Sequence, residues 1–126
     1  MKLSKTLIIT KYDEQNELVW FESEDGKVTG SAYKKNGCGE TQYDVTEVIK
    51  LNGSEPLKKY NYSMHQIGTN VGEFEITGTV ETIWEDGVFT VEVFGYDFWI
   101  EPDEFPHKVK PGDWFQMKIT NLTLYI

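Results

Sequence analysis

The chain contains no arginine: all twelve of its basic residues are lysines. Bidentate recognition of a phosphate or a guanine edge uses the planar guanidinium fork, for which an ammonium group substitutes only as a point charge. Nucleic-acid binding is therefore disfavoured at the outset. Cysteine is almost as scarce. The single Cys38 cannot close an internal disulfide, which excludes a stapled secreted scaffold and agrees with a reducing compartment. Long apolar runs are missing too. Leu7, Ile8 and Ile9 give way to Lys11 and Asp13, too short a stretch for a signal-peptide core or a membrane span, so we expect a cytoplasmic protein with no membrane partner. The Asn-x-Ser/Thr matches at Asn52, Asn61 and Asn121 then carry no glycan.

Catalytic and metal-binding spacings are equally lacking. No Cys-x-x-Cys, His-x-x-x-His or His-Glu-x-x-His pattern involves Cys38, His65 or His107, and nothing sets either histidine up as a base for that cysteine. Asp97, Glu101, Asp103 and Glu104 gather oxygen ligands, but without the alternating Asp/Asn and Gly order of a calcium loop. Gly37 and Gly39 fit no phosphate-cradling motif. With so many Glu and Asp in the chain, some pair of carboxylates always falls at a workable separation, so such a pair diagnoses nothing. The expectation is a non-enzymatic protein with no cofactor and no metal.

What the chain does have is acid, aromatic residues and period-two patterning. Its 126 residues suit one domain, and 14% aromatic content is too apolar for a disordered acidic tail despite a net charge of −9. Residues 60–107 hold ten acids and no lysine, so nearly the whole charge imbalance lies there. Such a stretch repels polyanions and attracts a cationic surface.

The clearest local signal runs from Glu73 to Phe94. Phe74, Ile76, Val80 and Trp84 share one parity and Glu73, Glu75, Thr77, Thr79 and Glu81 the other, which predicts a strand. Asp86-Gly87 reads as a two-residue hairpin turn, and Phe89, Val91 and Val93 continue on the return strand. In that register Trp84, Thr82 and Val80 face Phe89, Val91 and Val93, and Glu81 stands directly opposite Glu92 as a like-charge pair. Gly95 ends the run. Tyr96–Glu101 is a third strand, stopped by Pro102. Lys110-Pro111-Gly112-Asp113 has the order of a type II turn, and the strand after it changes apolar parity between Ile119 and Leu122, which predicts a β-bulge near Asn121.

In the first half, residues 6–12, 17–23 and 28–33 read as strands, with a turn at Asp25-Gly26. Asp44-Val45-Thr46-Glu47 fits either a short helix beginning at a capping box or a strand. Loops are expected at Asn36–Gly39 and at Asn52–Pro56. Glu24-Asp25-Gly26 and Glu85-Asp86-Gly87 each follow a Trp-containing strand, the sole hint of a two-half repeat over 1–60 and 61–126 within one β-rich domain.

The fold class expected is all-β, or β with one short helix, as a small antiparallel barrel or sandwich. Residues 72–126 resemble the OB fold: a long first strand, a hairpin, a third strand and a Pro-Gly-Asp turn before the last strand. That resemblance implies a barrel architecture and no particular function.

Tyr96, Phe98 and Trp99 fall within four residues, so adjacent rings point to opposite faces, and one of Phe98 and Trp99 lies outside the core unless a rim or homodimer contact covers it. The favoured function is an acidic protein that docks and occludes a basic protein partner, in the manner of bacterial immunity proteins or phage inhibitors. Its expected docking residues are Glu73, Glu75, Glu81, Glu92, Asp97, Trp99 and Glu101, with Trp99 or its neighbour as the anchor. The alternative is an OB-like carbohydrate or single-stranded nucleic-acid binding module that stacks its ligand on these aromatics.

Overall fold

A computed structural model describes residues 7–37, 39–51, 60–105 and 108–126. Cys38, His107 and the expected loop at Asn52–Pro56 lie outside the described residues, as does the side chain of Glu104. The described chain is all-β, its one helical feature being a 3-10 turn at Pro102–Glu104. The strands are β1 (Ile8–Asp13), β2 (Leu18–Glu22), β3 (Thr29–Lys35), β4 (Gln42–Leu51), β5 (Ser63–Gln66), β6 (Phe74–Ile83), β7 (Phe89–Val93), β8 (Tyr96–Ile100) and β9 (Trp114–Tyr125). At Asp44–Glu47 the strand reading holds and the helix reading does not. Val45 and Val48 pack against the core from β4, and burial of that kind overrides a local cap signal.

All nine strands belong to one mixed sheet, in the order β1-β2-β3-β9-β6-β7-β8, with β4 on β9 and β5 on β6. The long strand β9 is the spine. Along one side it pairs antiparallel with β4; along the other it pairs antiparallel with β6 from Trp114 to Ile119, then parallel with β3 from Thr123 to Tyr125. The handover falls at Asn121, whose φ of +56° marks the expected bulge. Phe115, Met117 and Ile119 are buried before it, and Leu122 and Leu124 after it, so the kink keeps one apolar face inward despite the change of parity.

The sheet stays open rather than closing into a barrel. Among the described residues, β8 pairs only with β7 and β4 only with β9, and across that seam the Tyr43 hydroxyl donates to the Trp99 carbonyl at 2.6 Å. The Tyr43 ring meets Phe98 edge-on, with centroids 5.5 Å apart. Beneath the sheet, Phe21, Phe74, Phe89, Phe98 and Phe115 are all essentially inaccessible. At about 1.5–3 kcal/mol for each fully buried aromatic, this layer outweighs any single polar contact in the fold.

The hairpin register departs from the sequence expectation. Gly87 N–H donates to the Trp84 carbonyl at 3.0 Å and Trp84 N–H to the Val88 carbonyl at 2.8 Å, so the loop holds Glu85, Asp86 and Gly87, three residues instead of two. Gly87 takes φ +89°, and a bulge between Val80 and Ile83 shifts the register again. Val80 therefore faces Val91, Ile83 faces Phe89, and Thr79 takes the place opposite Glu92 that Glu81 was expected to fill. The extra loop residue turns Trp84 out of the core, and it is 40% exposed.

Candidate functional site

Register and parity place the outer face of the β6–β7–β8 meander in rows. Core positions on β7 and β8 are Phe89, Val91, Val93, Tyr96, Phe98 and Ile100, all buried. Thr90, Glu92, Asp97 and Trp99 consequently face outward, with Thr90 opposite Trp99 and Glu92 opposite Asp97. One row across the sheet thus runs Trp114, Thr79, Glu92, Asp97, and the next carries Thr90 and Trp99.

Three of the expected acids meet here. Glu92 and Asp97 are cross-strand neighbours, and Glu81 reaches the same spot from β6. The carboxyl of Glu81 titrates above its ordinary value because it hydrogen-bonds Asp97; the negative charge of Asp97, partial desolvation and the charge of Glu92 push the same way. A proton held between two carboxyls is what crowded like charges demand. The Tyr62 hydroxyl donates to Glu92 Oε2 at 2.6 Å, and this bond, with some burial and the charges of Glu92 and Glu81, raises the phenol to about 12.

Aromatic groups bank this carboxylate trio on two sides. On one, Tyr62 packs against Trp114 at 5.0 Å and against Phe94 at 5.8 Å. On the other, the indoles of Trp84 and Trp99 stack with centroids 4.3 Å apart and planes 19° from parallel. Thr90 lies on this outer face yet is only 2% exposed, so the neighbouring indoles cover it, and its Oγ1 accepts the N–H of Thr82 at 3.3 Å. Trp99, outward-facing as one of the two expected candidates, is half-buried by this stacking, and Trp84 is the more exposed member of the pair.

The remaining expected residues lie apart from the trio. Glu75 stands opposite Lys118, accepts from Gln116 Nε2 at 3.0 Å and is 3.7 Å from His65 Nε2. Glu73 sits at the β5–β6 turn, bonded by Asn70 Nδ2 at 3.1 Å. Glu101 is exposed just past the end of β8. The structure brings Glu81, Glu92 and Asp97 together as a compact trio with Trp99 beside it, while Glu73 and Glu75 lie on a separate part of the sheet.

Sequence reasoning missed Trp84, Tyr62 and Trp114. The signal for Trp84 was Glu85-Asp86-Gly87 read as one unit: a glycine at the third loop position suits a type I turn closed by a left-handed residue, and that loop length turns the preceding tryptophan outward. Tyr62 and Trp114 had no local signal, because the contacts that matter join residues far apart in the chain.

Among the described residues, no group of three or more His, Cys, Asp or Glu is arranged to hold a metal ion, and no helix is long and apolar enough to cross a membrane. Neither a family model, nor a curated protein, nor a solved structure matches this chain.

Proposed function

We propose that this protein is a non-enzymatic, cytoplasmic binding protein whose outer β6–β8 face docks a basic protein partner and occludes it. The observation that carries this reading is the Glu81–Glu92–Asp97 trio, three carboxyl groups held so close that two of them share a hydrogen bond. Unanswered like charge at one spot costs stability, and a cationic partner that answers it gains both steering and affinity. The lysine-free stretch 60–107 extends the same field beyond the trio. The OB-like architecture of residues 72–126 stays part of the proposal, supported by the β6–β7–β8 meander with β9 returned against β6.

The test is capture from host lysate on immobilised protein, with the double variant Glu81→Gln, Glu92→Gln run in parallel. Basic proteins that elute from the wild type at raised salt and are missing from the variant support the reading. Equal capture by both overturns it. Carbohydrate binding is the second reading, favoured by the exposed Trp84–Trp99 pair, and retention on a glycan matrix that is insensitive to salt would select it.

A further inference from the structure

A cavity of about 560 Å³ opens beside the stacked indoles, lined by Trp84, Glu85, Asp86, Val88 and Trp99. Its wall is apolar and flat, and its mouth carries two carboxylates. Asp86 Oδ1 accepts the Val88 N–H at 3.1 Å within the turn, and Glu85 is exposed. Elsewhere the protein covers rings with its own cations: Lys11 stands 4.7 Å over Trp20, Lys27 5.1 Å over Phe94 and Lys34 5.5 Å over Tyr12. No described lysine stands over Trp84 or Trp99, and residues 60–107 supply none. Among the described residues, this stacked indole pair, edged by acid, receives no cation of the kind that Trp20, Phe94 and Tyr12 receive.

We propose that this cavity receives an arginine side chain of the partner, the guanidinium lying flat on Trp84 with its N–H groups directed at Glu85 and Asp86. This rests on the acidic-face reading and adds a residue preference to it. A guanidinium is planar, weakly hydrated and forked, so it stacks on an indole and meets carboxylates at the rim with little desolvation cost. An ammonium group is compact and strongly hydrated, and loses more water for the same contact. The Glu81–Asp97–Glu92 trio supplies the attraction, while the indole pair chooses which cation stays.

The experiment titrates the full chain with two short peptides of equal charge and length, one bearing arginines and the other lysines, read by tryptophan fluorescence and indole N–H chemical shifts. The arginine peptide should bind tighter, by up to about fivefold, the full worth of one exposed cation–π contact being the upper bound because lysine makes a weaker one, and should shift the Trp84 and Trp99 indoles. Trp84→Ala should abolish the preference, as should Glu85→Gln in part, with circular dichroism confirming that each variant folds. Equal affinity for the two peptides, or an arginine preference that survives Trp84→Ala, overturns the inference and leaves the acidic-face reading intact. That reading fails separately if Glu81→Gln, Glu92→Gln binds both peptides as tightly as wild type at low salt.

Discussion

Glu81 and Asp97, sixteen positions apart on β6 and β8, are joined by a carboxyl–carboxylate hydrogen bond that holds the Glu81 proton above its usual range. A raised folded-state value means that the folded protein favours the protonated form. The associated stability is fully present below the unfolded value near 4.5 and is lost as the pH rises through the folded one. Glu81→Gln keeps a donor for Asp97 and removes the charge. At pH 7 the variant should be the more stable by about 0.5 kcal/mol, a figure kept small by solvent screening. Urea melts should show that gap closing as the pH falls below 4.5, where wild-type Glu81 is itself neutral.

The phenol of Tyr62 should ionise only near 12, because its proton is held first by Glu92 and further disfavoured by burial and nearby carboxylates. Ultraviolet difference titration of wild type against Tyr62→Phe isolates this group. Glu92→Gln should move the ionisation back toward the ordinary tyrosine value.

Trp84 and Trp99 should be energetically coupled. Each substitution to Ala lowers stability, and a double-mutant cycle should give an interaction of about 1 kcal/mol, as expected for a stacked aromatic pair beyond its buried area. Zero coupling in denaturant melts would mean that the stacking is not maintained in solution.

Gly78 of β6 lies against the β7 residues Val91, Glu92 and Val93. A Cβ there would lie 2.5 Å from the Glu92 carbonyl oxygen and 2.7 Å from Val93 Cγ2. Backbone cannot yield as a flexible side chain can, so Gly78→Ala should cost at least about 1–3 kcal/mol and displace the strand that carries Glu92. Thermal melts measure the first effect and salt-dependent partner capture the second.

At Asn121 the left-handed backbone, not the side chain alone, sets the cost of substitution. Asn121→Gly and Asn121→Val both lose the 2.8 Å bond from Nδ2 to Asp44 Oδ2, but only valine brings a β-branched side chain to φ +56°. Valine should be the worse by about 1–2 kcal/mol in equilibrium unfolding.

Much of the fold was legible because period-two alternation and turn chemistry act over a few residues. Phe74, Ile76 and Val80 reach the core as their parity required, Gly112 takes φ +89° in the Pro-Gly turn, and the parity change around Asn121 is a real kink. The site was legible only in part. Glu92, Asp97 and Trp99 share a face because β7 and β8 are joined by a two-residue turn at Phe94-Gly95, which transmits register faithfully. Trp84 was misplaced because one additional loop residue shifts its strand by a position, and a shift of one exchanges faces, whereas Glu81 keeps the outer face and the bulge between Val80 and Ile83 gives its place opposite Glu92 to Thr79. The open seam between β8 and β4, bridged by Tyr43, depends on the curvature of the whole sheet, which no short window encodes.

The spine β9 is the last strand of the described chain, yet it supplies the partner edges of β3, β4 and β6. During synthesis, a ribosome that has not passed residue 114 has released at most the β1–β2–β3 and β5–β6–β7–β8 meanders, with β4 unpaired and Ile76 and Val48 lacking the β9 strand that covers their edge. The domain must therefore assemble in one late, cooperative event governed by contacts remote in sequence, on the slow end of the scale for its size. Until then, nascent chains present several unpaired edges at once, so the vulnerable interval for aggregation falls before β9 arrives.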